Sequence, residues 1–213
     1  MKKITVSLLI VLLGTLVMAQ EEGLPGEENN EFKTVFQRKG EKIFVTGFGG
    51  PVMAFTSIGK DFAHMMGGGG GVLVNNFFFG GYGVGLTTPI DYLNENDATP
   101  GTYSLEFGHG GLWTGFIVAR RRPVHLSVSS QFGWGSVSQR VKSQPDLSPI
   151  TQEPVFVVTP IVEIELNFSQ FIKVGLGAST SLVRGAGILY TPYRSEDFLQ
   201  PSVYLSFKFG YFN

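Results

Sequence analysis

From Val124 to Trp134 the chain changes character at every step. Val124, Leu126, Val128, Phe132 and Trp134 share one parity, with Ser130 the one small polar interruption. His125, Ser127, Ser129, Gln131 and Gly133 share the other. Successive side chains of a strand point to opposite faces, so this pattern predicts a strand with one apolar and one polar face. The same period governs three more segments. Phe156, Val158, Pro160, Val162, Ile164 and Leu166 alternate with Val157, Thr159, Ile161, Glu163 and Glu165. Ile172, Val174, Leu176, Ala178, Thr180 and Leu182 alternate with Phe171, Lys173, Gly175, Gly177, Ser179 and Ser181. Val203, Leu205, Phe207, Phe209 and Tyr211 alternate with Ser202, Tyr204, Ser206, Lys208 and Gly210. These runs are about 10 to 15 residues long, whereas strands of soluble proteins cluster near five or six. A strand crossing a bilayer needs about 9 to 11.

The N-terminal half predicts four further strands, over Lys42–Ser57, Asp61–Val74, Phe77–Thr87 and Thr102–Val118. In the last of these the alternation slips. Tyr103, Leu105 and Phe107 have one parity, while Leu112, Phe116 and Val118 have the other. A one-residue bulge within Gly108–Gly111 would return both halves to the same face. The count is eight strands. The connections after the second, fourth and sixth are short (Asn75-Asn76, Ala119–Pro123, Asn167–Gln170). Those after the third, fifth and seventh are long, near 88–101, 139–152 and 184–197, and only the first, near Ile58–Lys60, breaks the pattern by being short. The long ones carry Pro89, Pro100, Pro145, Pro149, Pro154 and Pro192, as turn chemistry expects. Short turns at one end and long loops at the other predict an all-β, eight-stranded, antiparallel up-and-down transmembrane barrel with both termini in the periplasm.

The first 19 residues change the picture of location. Lys2 and Lys3 precede an apolar run from Ile4 to Met18, and Val17-Met18-Ala19 offers small residues where a signal peptidase reads. This predicts a cleaved Sec-type signal peptide over 1–19, too short to anchor as a helix. Residues 20–41 form a polar leader carrying Glu21, Glu22, Glu27, Glu28 and Glu31, expected to be flexible, and 42–213 form the barrel domain. The chain has no cysteine, which excludes disulfides and a lipid-modified N-terminal cysteine. Its formal net charge of −1 gives no reason to expect nucleic acid as a partner. Gly, at 29 of 213 residues, is about double ordinary usage, and charged residues are only 15%. Gly and aromatic residues in short alternating stretches suit a barrel wall.

Three stretches carry a resemblance: GFGGPVMAFTSIG (47–59), HMMGGGGGVLVNNFFFGGYGVGLTT (64–88) and the closing SVYLSFKFGYFN (202–213). They resemble the small eight-stranded outer-membrane barrels of the OmpA/OmpX type. More narrowly, they are similar to Gly- and Phe-rich barrel proteins of Bacteroidota. The resemblance covers about residues 42–213 and implies a barrel in the outer membrane, handled by the barrel-assembly machinery, with no agreed activity. Such chains commonly end on an aromatic residue; here Phe212 is followed by Asn213.

The polar parity supplies a candidate interior network: Glu106, His125, Gln131, Glu163, Glu165, Lys173 and Lys208. An eight-stranded barrel is only wide enough for side chains to fill, and buried charges must be paired, so Glu163 or Glu165 is expected to meet Lys173. The run Gly67–Gly71 lacks the Lys-Ser/Thr pair of a phosphate loop. It is expected to let the wall bend and, with Gly81, Gly83 and Gly85, to make room for bulky interior groups. Tyr82, Tyr103, Trp113, Trp134 and Tyr211 are expected to form interfacial aromatic girdles. Arg120, Arg121 and Arg122 form a basic periplasmic turn, expected to reach lipid phosphates. His64, His109 and His125 lack metal-ligand spacing, and no cofactor or metal is expected.

His125-Leu126-Ser127 with a Glu resembles the catalytic set of the lipid A deacylases found among eight-stranded barrels. A His-activated serine is sound chemistry. However, these residues share the interior parity and adjoin the periplasmic turn, far from outer-leaflet lipid A. Three functions therefore stand in order. The first is a non-enzymatic outer-membrane barrel with a structural or surface-interaction role, its loops meeting an unknown external partner. The second is a soluble secreted or periplasmic barrel binding a small apolar ligand. The third is a lipid A-modifying enzyme.

Overall fold

The computed structural model describes residues 43–94, 101–143, 149, 151–187 and 192–212. The signal peptide, the leader and the centres of the three long loops lie outside the described residues. Ten strands carry nearly all of this structure: β1 (Val45–Ile58), β2 (Asp61–Val74), β3 (Phe77–Leu86), β4 (Ile90–Asn94), β5 (Gly101–Val118), β6 (Val124–Val141), β7 (Thr151–Asn167), β8 (Ile172–Thr180), β9 (Leu182–Arg184) and β10 (Pro201–Gly210). One 3-10 turn, Ser195–Phe198, precedes β10. Among the described residues no helix is long and apolar enough to cross a membrane.

Every pairing is antiparallel, and hydrogen-bonded neighbours run β1–β2–β3–β5–β6–β7–β8–β10. β10 in turn pairs with β1, so the succession of ladders returns to where it began. The two extra strands prolong their predecessors. β9 continues β8 along β7 in unbroken register, with Ile161 opposite Ser179 and Val158 opposite Leu182. β4 continues β3 along β5 with two residues gained, since Gly85 faces Gly108 but Ile90 faces Leu105. Pro89, which has no N–H to give a ladder, lies in that break. β6 and β7 likewise run further than the sequence predicts, and Pro154 lies within β7 opposite Ser136.

The turn at Asn75-Asn76 shows why these residues stand there. Asn75 has φ 54°, a left-handed conformation that Asn tolerates. Its Oδ1 accepts the Phe44 N–H at 2.9 Å, and the Asn76 Nδ2 donates to the Ile117 carbonyl at 2.6 Å. The two side chains tie β1 and β5 to the hairpin between them.

On β6, β7, β8 and β10, towards the short turns, the charged and polar residues lie on the buried face and the apolar residues on the exposed one, whereas β1, β2, β3 and β5 bury mainly apolar side chains, among them Val52, Leu73, Phe78, Trp113 and Ile117. On β6, Val124, Leu126, Val128 and Trp134 are exposed, while His125, Ser127, Ser129 and Gln131 are buried. On β7, Val162, Ile164 and Leu166 are exposed, while Glu163 and Glu165 are 0% exposed. Beyond Gly108, Trp134 and Phe156 the faces exchange character. There Glu106 and Arg140 are half-exposed, and Leu105, Phe107, Val137 and Val155 join a buried apolar cluster with Ile58, Ile90 and Phe198, although Gln139 and Glu153 also stay buried.

This exchange corrects the reading of β5. No bulge interrupts it: the register with β6 is continuous from Tyr103 opposite Val141 to Val118 opposite Leu126. Tyr103, Leu105, Phe107, His109, Trp113 and Ile117 all face the buried side. The slip in the sequence records a change in what the two faces meet, not an extra residue. Gly81, Gly83 and Gly85 are corrected with it, because they take the parity opposite to buried Phe78 and Tyr82. The glycines that do make room are others. A Cβ on Gly69 would lie 2.9 Å from the Trp113 ring, one on Gly115 2.7 Å from Phe78, and one on Gly133 would strike the Tyr82 hydroxyl.

Candidate functional site

Strands β7, β8 and β10 bring four charged residues together on the buried face. Lys208 Nζ donates to Glu165 Oε1 at 2.5 Å and to Glu163 Oε2 at 3.3 Å. Lys173 Nζ lies 3.9 Å from Glu165 Oε2. Ser206 Oγ donates to Glu163 Oε1 at 2.5 Å. From β6, His125 Nε2 lies 3.0 Å from Glu165 Oε2 and its Nδ1 3.1 Å from the Arg122 carbonyl. The placement follows from register: Glu165 faces Gly175 on β8, and Gly175 lies opposite Ser206 on β10, so Lys208 and Lys173 flank the carboxylates diagonally. The cluster holds two ammonium and two carboxylate groups. Such charges are stable out of water only when each is paired and hydrogen-bonded.

Aromatic rings close over this cluster. Lys208 Nζ is 5.1 Å from the Trp113 ring and 5.4 Å from Phe78. Trp113, Phe78 and Phe48 pack edge to face at 5.3 to 5.8 Å. The Trp113 Nε1 donates to Ser129 Oγ at 3.2 Å. Further along, Gln131 Nε2 donates to the Tyr204 hydroxyl at 3.2 Å, and the Tyr82 hydroxyl meets His109 Nδ1 at 2.9 Å.

Six of the seven expected network residues therefore lie on the buried face. His125, Glu163, Glu165, Lys173 and Lys208 are joined there, and Gln131 is engaged separately with Tyr204. Glu106 is not among them. It takes the outward parity of β5 and accepts from Arg140 Nε at 2.6 Å, a pair that water screens. Three girdle expectations are also corrected. Tyr82, Tyr103 and Trp113 point inward and are 8%, 1% and 1% exposed; Gly133 leaves space for the Tyr82 ring and Gly69 for Trp113, while Tyr103 stacks on Tyr92 across the strand pair. Trp134 and Tyr211 are exposed, with Phe156 and Phe171 beside them at 5.2 and 5.7 Å. Sequence reasoning misses Tyr204, Ser206 and His109; the first two share the parity of Lys208, which is the signal for them.

The His125–Ser127 pair does not form a nucleophile. His125 is engaged with Glu165 and a carbonyl, and Ser127 Oγ is buried with no hydrogen-bond partner. Two residues apart on one strand face, the two side chains point side by side rather than at each other.

Gly175 lets the cluster exist. A Cβ there would run into Glu163 Oε1 and stand 2.6 Å from Ser206 Oγ. Gly175→Ala is expected to lower stability by about 1–3 kcal/mol, as overpacking does. Gly83→Ala, on the exposed face with nothing within 4 Å, is expected to be neutral or slightly stabilising. Urea unfolding of the refolded variants measures both.

At the end of the sheet where the chain enters and leaves, residues 119–123 form the basic turn. Ala119 has φ 53°, and the Arg122 N–H donates to its carbonyl at 2.9 Å. Asn167 Nδ2 donates to the carbonyls of Arg120 and Arg122, at 3.1 and 2.9 Å. The Arg120 guanidinium lies 3.8 Å above the Phe44 ring. At the opposite end Lys142 and Ser104 hydrogen-bond Asp91 and hold its carboxyl below the usual range.

No family model matches the chain, and no curated protein matches its sequence. Among solved structures it is similar to Neisserial surface protein A (NspA), with a TM-score of 0.52 and 8% identity over 79% of this chain and 99% of that one. It is also similar to Ail, the attachment invasion locus protein of Yersinia pestis. In complex with the heparin analogue sucrose octasulfate, Ail gives a TM-score of 0.44 and 7% identity over 80% of this chain and 99% of Ail. A second structure of Ail gives 0.37 and 9% over 78% and 97%. NspA and Ail are eight-stranded outer-membrane β-barrels. At such identities the likeness to NspA bears on fold alone: this chain is an all-β antiparallel protein whose sheet is similar to that of an outer-membrane barrel.

Proposed function

We propose that this chain is a closed, eight-stranded, up-and-down β-barrel of the outer membrane, exported under the signal peptide 1–19. Its role is structural or surface-interacting and non-enzymatic. The inversion of the two faces carries this reading. Glu163, Glu165, Lys173 and Lys208 are buried while Val128, Val162, Ile164, Leu176 and Phe209 are exposed, an arrangement that water would penalise and hydrocarbon favours. The exposed apolar stretch of β6 runs from Val124 to Trp134. At about 3.4 Å per residue and a tilt of about 40°, those ten steps rise about 26 Å, close to the apolar band of about 25 Å in such barrels. Past Trp134 the apolar side turns inward, as expected once strands leave the hydrocarbon and meet water. The cyclic order of ladders supports closure, and the loops near 88–101, 139–152 and 184–197 would then face outward to the unknown partner.

A soluble carrier would need an apolar chamber. Among the described residues the middle of the buried face encloses a cavity of only about 20 Å³, bounded by Val52, Met65, Val84, His109, Gln131 and Tyr204 among others. That is room for a water molecule. The lipid A deacylase reading would need a His-activated serine, and Ser127 Oγ has no hydrogen-bond partner.

Fractionation tests the proposal. The protein is expected in isolated outer membranes, and it is expected to migrate differently on detergent gels with and without boiling. Recovery wholly in the soluble periplasmic fraction, with no heat shift, would refute it.

A further inference from the structure

At the chain-terminal end of the sheet three arginines gather, with Lys173 near enough to repel Arg120, while the carboxylate of Glu165 at that end is already engaged by Lys208, Lys173 and His125. Arg120, Arg121 and Arg122 are all in one turn; its neighbours are Asn75, Asn76, Ser169, Gln170 and exposed Phe168, Phe171 and Tyr211. Among the described residues none of the three arginines makes an ion pair, although Glu106, Arg140, Lys142 and Asp91 at the other end are paired. The turn opens onto a cavity of about 620 Å³, lined by Phe44, Arg120, Arg121, Asn167, Gln170 and Phe212 among others.

We propose that this mouth is a phosphate-binding site, with Arg120 and Arg121 as the two guanidinium donors. The turn is held before any ligand arrives. Asn167 clamps the carbonyls of Arg120 and Arg122, His125 takes the Arg122 carbonyl as well, and Phe44 fixes the plane of the Arg120 guanidinium at 3.8 Å. A loose basic turn would only trail its side chains into water; this one holds its backbone and the Arg120 guanidinium in place, with exposed Arg121 next to it. Planar guanidinium groups match phosphate oxygens two by two. Burial, and then the charge of Arg121, lower the pKa of Arg120, and an oxyanion beside both guanidiniums would supply the countercharge that this environment lacks. Exposed Phe168, Phe171 and Tyr211 stand at the same end, where aromatic residues mark the depth of lipid headgroups. The phosphate comes from a phospholipid headgroup or from free phosphate; the chemistry is shared. Access by a headgroup rests on the membrane reading above.

The test uses the mature chain refolded in non-ionic detergent. Short-chain phosphatidylglycerol is titrated by calorimetry at low salt, with inorganic phosphate as a separate probe and as a competitor. Saturation at one equivalent is expected. Arg120→Gln with Arg121→Gln is expected to weaken it by at least about tenfold, from loss of the charge-assisted bonds. Exposed Arg121→Gln alone is expected to weaken it in the same direction. Arg184→Gln with Arg194→Gln, at the opposite end, is expected to leave it unchanged. Displacement by inorganic phosphate identifies free phosphate as sufficient, and binding of the lipid that phosphate does not displace identifies the headgroup; either sustains the site. No saturable binding of either probe, or equal loss in both double variants, overturns it. The boiled and unboiled gel separates the two readings: a protein that keeps its heat shift yet binds neither probe loses only this inference.

Discussion

Lys208→Met is expected to lower the stability of the refolded protein by about 3–5 kcal/mol, read as a shift in its urea unfolding midpoint. The reason is arithmetic of charge. Lys208 is the group that touches both Glu163 and Glu165. Without it, two carboxylates that are fully out of water share the more distant Lys173, which stands 3.9 Å from one of them. Methionine fills the volume and packs on the same Trp113 and Phe78 rings, so the loss reports charge and not a cavity. Lys208→Met with Glu163→Gln restores neutrality. It keeps the Glu165–Lys173 pair, and the amide that replaces the Glu163 carboxylate retains an oxygen to accept from Ser206. The double variant is expected to recover much of the loss. If the double variant is no more stable than Lys208→Met alone, the charges are not coupled and the cluster does not act as one unit.

How much of this could be read from the sequence depends on what set the period. On β6, β7, β8 and β10 the alternation was plain, because hydrophobic and polar residues keep their parity over the whole stretch that the proposal places in hydrocarbon. Glu163, Glu165, Lys173 and Lys208 were legible for the same reason: their parity is inward. What was not legible was the point at which the rule reverses. Leu105 and Phe107 look like Leu112 and Phe116 in composition, yet the first pair is buried and the second exposed. Only the end of the apolar band decides between them, and single residues do not announce it. The expectations for Glu106, Tyr103 and the bulge fail together from that one cause. Tyr82 and Trp113 failed differently. Their rings face inward because Gly133 leaves room for Tyr82 and Gly69 for Trp113, and these glycines are distant in sequence and brought near only through strand register. The basic turn was legible as charge but not as geometry, since its clamp, Asn167, is 45 to 47 residues away.

Val128→Arg separates membrane from water most directly. Val128 is 46% exposed on β6, midway along the stretch from Val124 to Trp134. In an aqueous protein an arginine at so open a position would change stability by no more than about 0.5 kcal/mol. In a barrel it would sit near the bilayer midplane and cost about 2–4 kcal/mol. Val124→Arg, at the start of the strand beside the basic turn, is expected to cost about 0–1 kcal/mol, because a side chain there reaches the headgroups. Unfolding from phospholipid vesicles measures both, and the gradient between them carries the conclusion. A depth-dependent cost requires a slab of hydrocarbon with an edge, whereas a general intolerance of arginine would penalise both positions alike. Equal and small effects at Val128 and Val124 would mean that this face meets water throughout. The buried charges would then need another explanation for lying where they do.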